Sequence, residues 1–280
     1  TSASMTEPEM TRVAGLFAGI GGFELGFASS GFMTTLLCDA DPASRAVLEK
    51  HLPGAAGADV AFSDDVLNLV HLHDADVVTA GFPCQDLSQA GRLAGIGGAR
   101  SGLVSRVFDL LRVGGAPYPT LVIENVPFML RLDRGEAMTY LVRSLEELGY
   151  SWAYRIIDAQ SFGLPQRRQR VVLVASRVLD PALVLLADDA AKPERSDHDV
   201  AGFYWTEGNR GVGWAADAVP PVKGGSALGI ASPPAIAIRG RGIFAPTIEA
   251  TERLQGFASG WTEPVVAAGL TNRHRWRLVG

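Results

Sequence analysis

Apolar positions along the first two thirds of the chain fall into short runs with strand-like periods, separated by stretches with helical spacing. Residues 12–17 predict a short strand, and glycines at 19, 21, 22 and 26 interrupt the apolar run where a helical pattern begins. Residues 36–41 predict a second strand ending in Asp39 and Asp41, and Pro42 marks the start of a helix through Lys50. Ala75-Asp76-Val77-Val78-Thr79-Ala80 predicts a buried strand, residues 103–112 a helix, and residues 118–124 another buried strand. Residues 136–148 have amphipathic spacing that Gly149 stops, and residues 152–158 and 171–175 read as two more strands. Strands that alternate with helices indicate an α/β fold around a mostly parallel, twisted sheet with helices on both faces.

The pattern changes after Arg177. Residues 188–199 are charged and loop-like, and residues 202–234 are rich in Gly, Pro and Trp. The chain therefore divides into a first unit over residues 1–177, a smaller irregular lobe over 178–245 and a return segment over 246–280.

With 280 residues, 47% of them hydrophobic, the chain can bury the core of one α/β domain and carry a smaller lobe besides. No apolar run approaches membrane-spanning length and the first residues lack a signal peptide's apolar core, so the expectation is a soluble cytoplasmic protein with no membrane partner. The only cysteines, Cys38 and Cys84, exclude a disulfide framework or a thiolate-rich zinc site and fit a reducing compartment. A net charge of -5 argues against a simple DNA coat but leaves room for an enzyme with a local basic cleft. The cations cluster at Arg167-Arg168 with Arg170, at Arg239 with Arg241, and at Arg273, His274, Arg275 and Arg277. Each run taken alone is ordinarily a solvated face.

Candidate chemistry centres on Gly81-Phe82-Pro83-Cys84-Gln85-Asp86-Leu87-Ser88. Cys84 follows a strand's carboxyl end, where open α/β sheets bind their ligands, and Pro83 stiffens the turn that presents it. Alone, a free Cys is most often a buried structural residue. The glycines after residue 17 suit close approach of a nucleotide cofactor, and alone they fit a dinucleotide oxidoreductase equally well. An acid at the end of the second strand, Asp39 or Asp41, suits hydrogen bonding to ribose hydroxyls, and Asp41 reads equally as the cap of the next helix. Residues 88–103 are dense in glycine, which predicts a mobile loop, either a surface connection or a lid whose Arg92 and Arg100 meet phosphates. Glu124 ends an apolar strand and should be partly desolvated there; as a lone acid it reads as a loop charge or helix cap.

Several separated motifs occur in an order that resembles the cytosine-C5 DNA methyltransferases: Phe17-Ala18-Gly19-Ile20-Gly21-Gly22, Pro83-Cys84-Gln85, Glu124-Asn125-Val126, Gln166-Arg167-Arg168-Gln169-Arg170 and Arg253-Leu254-Gln255-Gly256-Phe257. The resemblance runs from Val13 to Gly280. It implies a Rossmann-like S-adenosylmethionine-dependent methyltransferase fold, with residues 178–245 as target-recognition lobe, of the bacterial or phage restriction-modification type. The implied reaction transfers a methyl group from S-adenosyl-L-methionine, leaving S-adenosyl-L-homocysteine, to C5 of a cytosine flipped out of duplex DNA. A covalent Cys84–C6 adduct carries it, because C5 is a poor nucleophile until a thiolate adds to C6.

By the same resemblance, Phe17 packs on the adenine, while Ala18, Gly19, Gly21 and Gly22 hold the cofactor through the backbone. Asp39 binds the ribose, Asp65 rather than Asp64 contacts the adenine with Val66, and Pro83 completes the cofactor set. Cys84 is the nucleophile, Glu124 recognises N3 and the exocyclic amine, Arg168 holds O2, Arg170 supports Glu124 or the loop, and Arg167 faces solvent. Gln85, Ser88, Arg92 and Arg100 are expected on DNA. Arg277-Leu278-Val279-Gly280 resembles the opening of the family's last motif, leaving a second chain that supplies its continuation, or a monomer, as alternatives. The RNA-directed branch of the superfamily is a rival reading that the long segment from 177 to 238 opposes. A noncatalytic DNA-binding subunit or half of a split enzyme is another, opposed by the intact Cys84, Glu124 and Arg168.

Overall fold

The computed structural model of the chain describes residues 10–52, 60–83, 102–114, 118–189, 199–204, 213–224 and 232–280. Its large sheet contains β1 (Arg12–Leu16), β2 (Met33–Cys38), β3 (Ala61–Ser63), β4 (Val77–Ala80), β5 (Thr120–Asn125), β6 (Ser151–Asp158) and β7 (Gln169–Ser176) in the order β3-β2-β1-β4-β5-β7-β6. The pairs from β3 through β5 are parallel, and β7 runs antiparallel to both β5 and β6. All four residues of β4 are buried, as a continuous apolar run in the middle of a sheet should be.

The alternation within β1 shows how the sheet is covered. Ala14 and Leu16 join the main core with Leu121 and Ile123 of β5. Val107, Phe108 and Leu111 of α3 (Leu103–Gly114), with Leu141 and Leu145 of α4 (Glu136–Glu147), complete that core. Gly15 points to the opposite face, where a Cβ would lie 2.1 Å from Glu24 Oε1. Glu24 belongs to α1 (Gly22–Ala28), so helices cover both faces of the sheet. A second apolar cluster joins Ala43 and Val47 of α2 (Pro42–His51) to Ile20, Trp261 and Val265.

The lobe expected to be irregular instead holds a four-stranded antiparallel sheet: β8 (Val200–Tyr204), β9 (Gly213–Ala216), β10 (Ala235–Ile238) and β11 (Gly242–Phe244), in the order β11-β10-β8-β9. Strands of three to five residues rich in Ala and Gly have little β propensity, so their sequence does not stand out. Residues 178–189 also differ from expectation. Here α5 (Pro181–Leu185) packs on β6 and β7, at the edge of the large sheet rather than in the lobe.

The two sheets meet where Val219 bridges to Gln166: Arg167 N donates to Val219 O at 2.9 Å and Val219 N to Pro165 O at 2.9 Å. Gly202 makes room for this crossing, since a Cβ there would come within 2.5 Å of Ala218 O and 2.6 Å of Val219 Cα.

The return segment forms α6 (Ile248–Leu254), α7 (Pro264–Ala267) and α8 (Asn272–Val279), and both α7 and α8 pack on α2. Its interior is a buried charge network. Glu252, fully buried, accepts from Gly260 N, Thr262 N and Arg275 at 2.6, 2.9 and 3.3 Å, and Arg275 also reaches Glu249 at 3.2 Å. Buried charges persist when each is paired and hydrogen-bonded, and this pair is both. Among the described residues no helix is long and apolar enough to cross a membrane.

Candidate active site

β1 ends at Leu16, and the chain turns under visible constraint. Phe17 adopts a left-handed φ of 57°, which costs a bulky residue about 1–3 kcal/mol and persists only where the surroundings impose it. Gly19 and Gly21 share that region at 57° and 85°, and Gly21 opens α1. Three hydrogen bonds fix the loop: Ala18 N to Cys38 O at 3.1 Å, Gly21 N to Ala18 O at 3.0 Å, and Gly19 N to Asp39 Oδ2 at 2.7 Å. Nothing lies within 4 Å of a Cβ built on Gly19, so a ligand can approach the backbone there. Gly22 is exposed beside the ring of Phe257.

Asp39 thus braces the loop, and its other oxygen accepts from Asp41 N at 2.9 Å. Burial raises the Asp39 carboxyl's pKa above its ordinary value. Asp41 takes the capping place, accepting from Ala43 N at 3.0 Å and pairing with Arg277. Asp65 also serves as a cap, accepting from Leu67 N at 2.8 Å, while Val66 gives its side chain to the main core. These two therefore stand beside β3 with the carboxylate and the side chain already engaged.

β4 delivers the chain to Gly81-Phe82-Pro83. Phe82 is buried with its ring edge-on to Phe17 at 6.2 Å, and Pro83 is exposed. Asn125 Nδ2 donates to Phe82 O at 2.9 Å, tying this turn to the end of β5. A Cβ on Gly81 would sit 3.8 Å from Glu124 Oε2 and 3.8 Å from Phe17 O, so one residue's width separates the glycine loop from the Glu124 carboxylate. Cys84, Gln85, Ser88, Arg92 and Arg100 lie outside the described residues. The other cysteine, Cys38, is buried, and burial pushes its thiol up to about 11, which leaves it unreactive at neutral pH.

From β7, Arg170 Nε meets Glu124 Oε1 at 2.6 Å. Arg168 is held through its backbone, its N–H donating to Asp158 Oδ1 at 3.1 Å, and its Nη1 is buried with no partner among the described residues. Burial, and next the neighbouring Arg170 charge, pull the Arg168 guanidinium down to about 10 against the opposing influence of Glu124. It remains a cation at neutral pH with a donor to offer. Arg167, the residue before Arg168, is exposed, as the two-residue period of an extended chain requires.

Several residues in this framework carry no sequence signal for their place. Gln166, fully buried, donates to Leu254 O at 2.9 Å and accepts from Val222 N at 3.2 Å, joining the arginine motif to the return segment and the lobe. Trp261 Nε1 donates to Ile20 O at 2.9 Å while its ring stacks on His51 at 3.8 Å, bracing the glycine loop from outside. Glu24, fully buried against β1, accepts from Thr79 Oγ1 at 3.2 Å, and burial drives its carboxyl up to about 7. The nearest signal for Glu24 is Gly15, whose missing side chain leaves the space it fills.

Comparison with known proteins places these motifs in context. Residues 11–200 match the family model of the C-5 cytosine-specific DNA methylase. The chain is 50% identical to the Type II methyltransferase M2.BsuMI of Bacillus subtilis over 96% of its own length and 71% of that protein. It is 36% identical to M.BsuFI of Bacillus subtilis over 57% of this chain and 37% of the relative. Among solved structures, the S. pombe Dnmt2 methyltransferase shares the fold, with a TM-score of 0.67 at 16% identity over 96% of this chain and 93% of its own. The Entamoeba histolytica methyltransferase EhMeth aligns equally well, with a TM-score of 0.67 at 15% identity over 98% of this chain and 93% of its own. With the glycine loop, the Glu124–Arg170 pair and Arg168 gathered at the edge of the sheet where β1 and β5 end and the antiparallel β7 begins, and a family match spanning most of the chain, this protein belongs to the C-5 cytosine-specific DNA methylases.

Proposed function

We propose that the enzyme methylates C5 of a cytosine flipped out of duplex DNA, with Cys84 as nucleophile and S-adenosyl-L-methionine as donor. The observation that carries this reading is the convergence at Gly81: Phe17 O and Glu124 Oε2 flank it, and three residues later the chain reaches Cys84. Bound here, the cofactor would supply an electrophilic methyl group on a sulfonium, whose S–CH3 bond breaks as C5 takes the methyl group, and would leave as the neutral thioether S-adenosyl-L-homocysteine. Its residues fit: open backbone at Gly19, an acid at the end of β2, and the Phe17 ring.

The Cys84 thiolate adds to C6, forming the S–C6 bond and moving electron density to C5, which takes the methyl group. Loss of the C5 proton to a base then restores the C5–C6 double bond as the S–C6 bond breaks and the thiolate leaves. Glu124, held by Arg170, engages N3 and the exocyclic amine in this reading, and Arg168 Nη1, which has no partner among the described residues, donates to O2. Flipping costs roughly a few kcal/mol, which contacts from the lobe and to phosphates offset. Residues 200–244 act as the recognition lobe, and residues 246–280 return to brace the cofactor loop through Trp261.

The deciding experiment incubates the chain with methyl-labelled S-adenosylmethionine and either mixed-sequence duplex DNA or transfer RNA. Label at C5 of DNA cytosine is expected. Label on RNA alone would overturn the substrate, and retained cofactor binding with no label on either would overturn the reading of this chain as sufficient for transfer.

A further inference from the structure

Glu24 is an ionisable group beside the cofactor loop that methyl transfer leaves unused. It stands in the first turn of α1 and is fully buried. Its carboxyl fills the place of the side chain that Gly15 lacks: a Cβ there would lie 2.1 Å from Oε1 and 3.0 Å from the carboxyl carbon. Thr79 Oγ1 donates to Oε1 at 3.2 Å, while Oε2 is buried with no hydrogen-bond partner among the described residues. An apolar side chain would fill the same space without the cost of a half-satisfied carboxyl.

The position of this carboxyl ties it to the loop. Gly15 and Thr79 are register partners on the parallel strands β1 and β4, and two residues further along each strand the chain reaches Phe17 and Gly81. Two residues of extended chain span roughly 7 Å, so the buried acid lies just behind the turns read above as the cofactor site. Few charges surround it. Arg12 opens β1 at its other end and pairs with Asp76, β4 carries no ionisable residue, and Cys38 of β2 joins the main core instead. Burial raises the Glu24 carboxyl to about 7, and Asp39, just past β2, adds to it.

The sulfonium donor and its thioether product share their adenosine and amino-acid ends and differ by one methyl group and one positive charge. A nearby cation eases the ionisation of a buried acid, because charges act strongly away from water. By linkage, the ionised acid strengthens the binding of that cation by the same factor. Resting on the methyltransferase reading above, we propose that Glu24 is a specificity-determining residue for the cofactor: ionised, it favours the sulfonium donor over the neutral thioether left after transfer. Its proton passes to the solvent as the donor binds and returns once the product occupies the loop, which favours exchange of product for donor.

The test is isothermal titration calorimetry in two buffers of different protonation enthalpy, which counts the protons released as each ligand binds between pH 6 and 8. For a preference of roughly tenfold, S-adenosylmethionine should release about half a proton more than S-adenosylhomocysteine near pH 6.5. The affinity for the donor relative to the product should rise roughly fivefold from pH 6 to 8. Glu24→Gln, which copies the protonated acid, should lose both differences and keep S-adenosylhomocysteine binding close to the wild type. Sinefungin, an analogue with an amine-bearing carbon in place of the methylated sulfur, should behave as the donor does.

Equal proton release by donor and product in the wild type, a comparison that needs no variant, would overturn the inference. A pH-dependent preference that survives in Glu24→Gln would do the same, as would sinefungin titrating like the product. The underlying reading fails in a different way. If neither S-adenosyl ligand binds, the donor is wrong and the inference falls with it; if labelled methyl reaches cytosine while donor and product release the same protons, the inference alone falls.

Discussion

The two sheets differ in what they bury. The large one encloses ionisable groups, Glu24 and Arg168, whose pKa values move to about 7 and about 10, and it holds Phe17 in a strained backbone. The small one leaves Trp214 and Ile243 more than half exposed and carries the exposed Arg239 and Arg241 on the β10–β11 turn, whose left-handed positions are glycine. Reactive geometry needs a rigid, dry setting, because misplacement is costly and charges act more strongly away from water. The role proposed for the lobe needs only an accessible surface, which strands of three to five residues can present. If this division is real, damage to one region should spare the function of the other.

The sharpest break is at the nucleophile. Cys84→Ala should lower methyl transfer by more than about 10³-fold while leaving cofactor binding unchanged and DNA binding nearly so. Turnover within tenfold of wild type would remove Cys84 from the reaction.

Next in size is the pH dependence built into Glu24. Burial is the main cause of its elevated pKa, Asp39 adds to it, and the Thr79 hydroxyl opposes it. Below pH 4.5 the carboxyl is protonated in both the folded and the unfolded chain, so ionisation costs nothing there. Between pH 4.5 and about 7 the unfolded chain ionises first, so stability falls as pH rises; above about 7 the loss is complete. The whole loss is on the order of 3 kcal/mol. Glu24→Gln keeps the shape and the Thr79 contact, and should flatten this slope in urea unfolding at pH 5, 6, 7 and 8. Parallel curves for wild type and variant would show that Glu24 does not titrate in this window.

Gly202→Ala tests the junction between the sheets. Its Cβ would meet backbone atoms of Ala218 and Val219 that cannot yield cheaply, a cost of about 1–3 kcal/mol. DNA affinity should fall while the cofactor dissociation constant stays within about twofold. An equal loss of both would mean that the two regions act as one unit.

How much of this was legible differs by region in the same way. Long periodic segments announced the large sheet apart from the three-residue β3, its helices and the loop glycines, while Arg167, expected at the surface from the Gln-x-Arg-x-Arg resemblance, is exposed. The reversal of β7 was not legible, because side-chain period is blind to strand direction. Nor were the strands of the lobe, where Ala235-Ile236-Ala237-Ile238 and Gly213-Trp214-Ala215-Ala216 sit among glycines and prolines that read as loop. Glu24 reads as an ordinary acid in a helix's first turn, and only the tertiary pairing with Gly15 buries it. Gln166 lay inside a recognised motif, yet its links to residues 222 and 254 are long-range and leave no local trace.

The smallest expected effect concerns Phe17, where strain and binding oppose each other. Its φ of 57° means that any L side chain there is strained, so Phe17→Ala keeps the backbone cost while removing the ring that meets Phe82 edge-on. Phe17→Gly removes both. If the ring packs on the cofactor's adenine, both variants should raise the S-adenosylmethionine dissociation constant about tenfold, which corresponds to about 1.4 kcal/mol. The glycine variant should nevertheless be the more stable of the two to urea, because it alone tolerates the left-handed turn. DNA affinity should not change in either. A dissociation constant unaltered in Phe17→Ala would confine the ring to packing against Phe82 and place the adenine elsewhere along the loop.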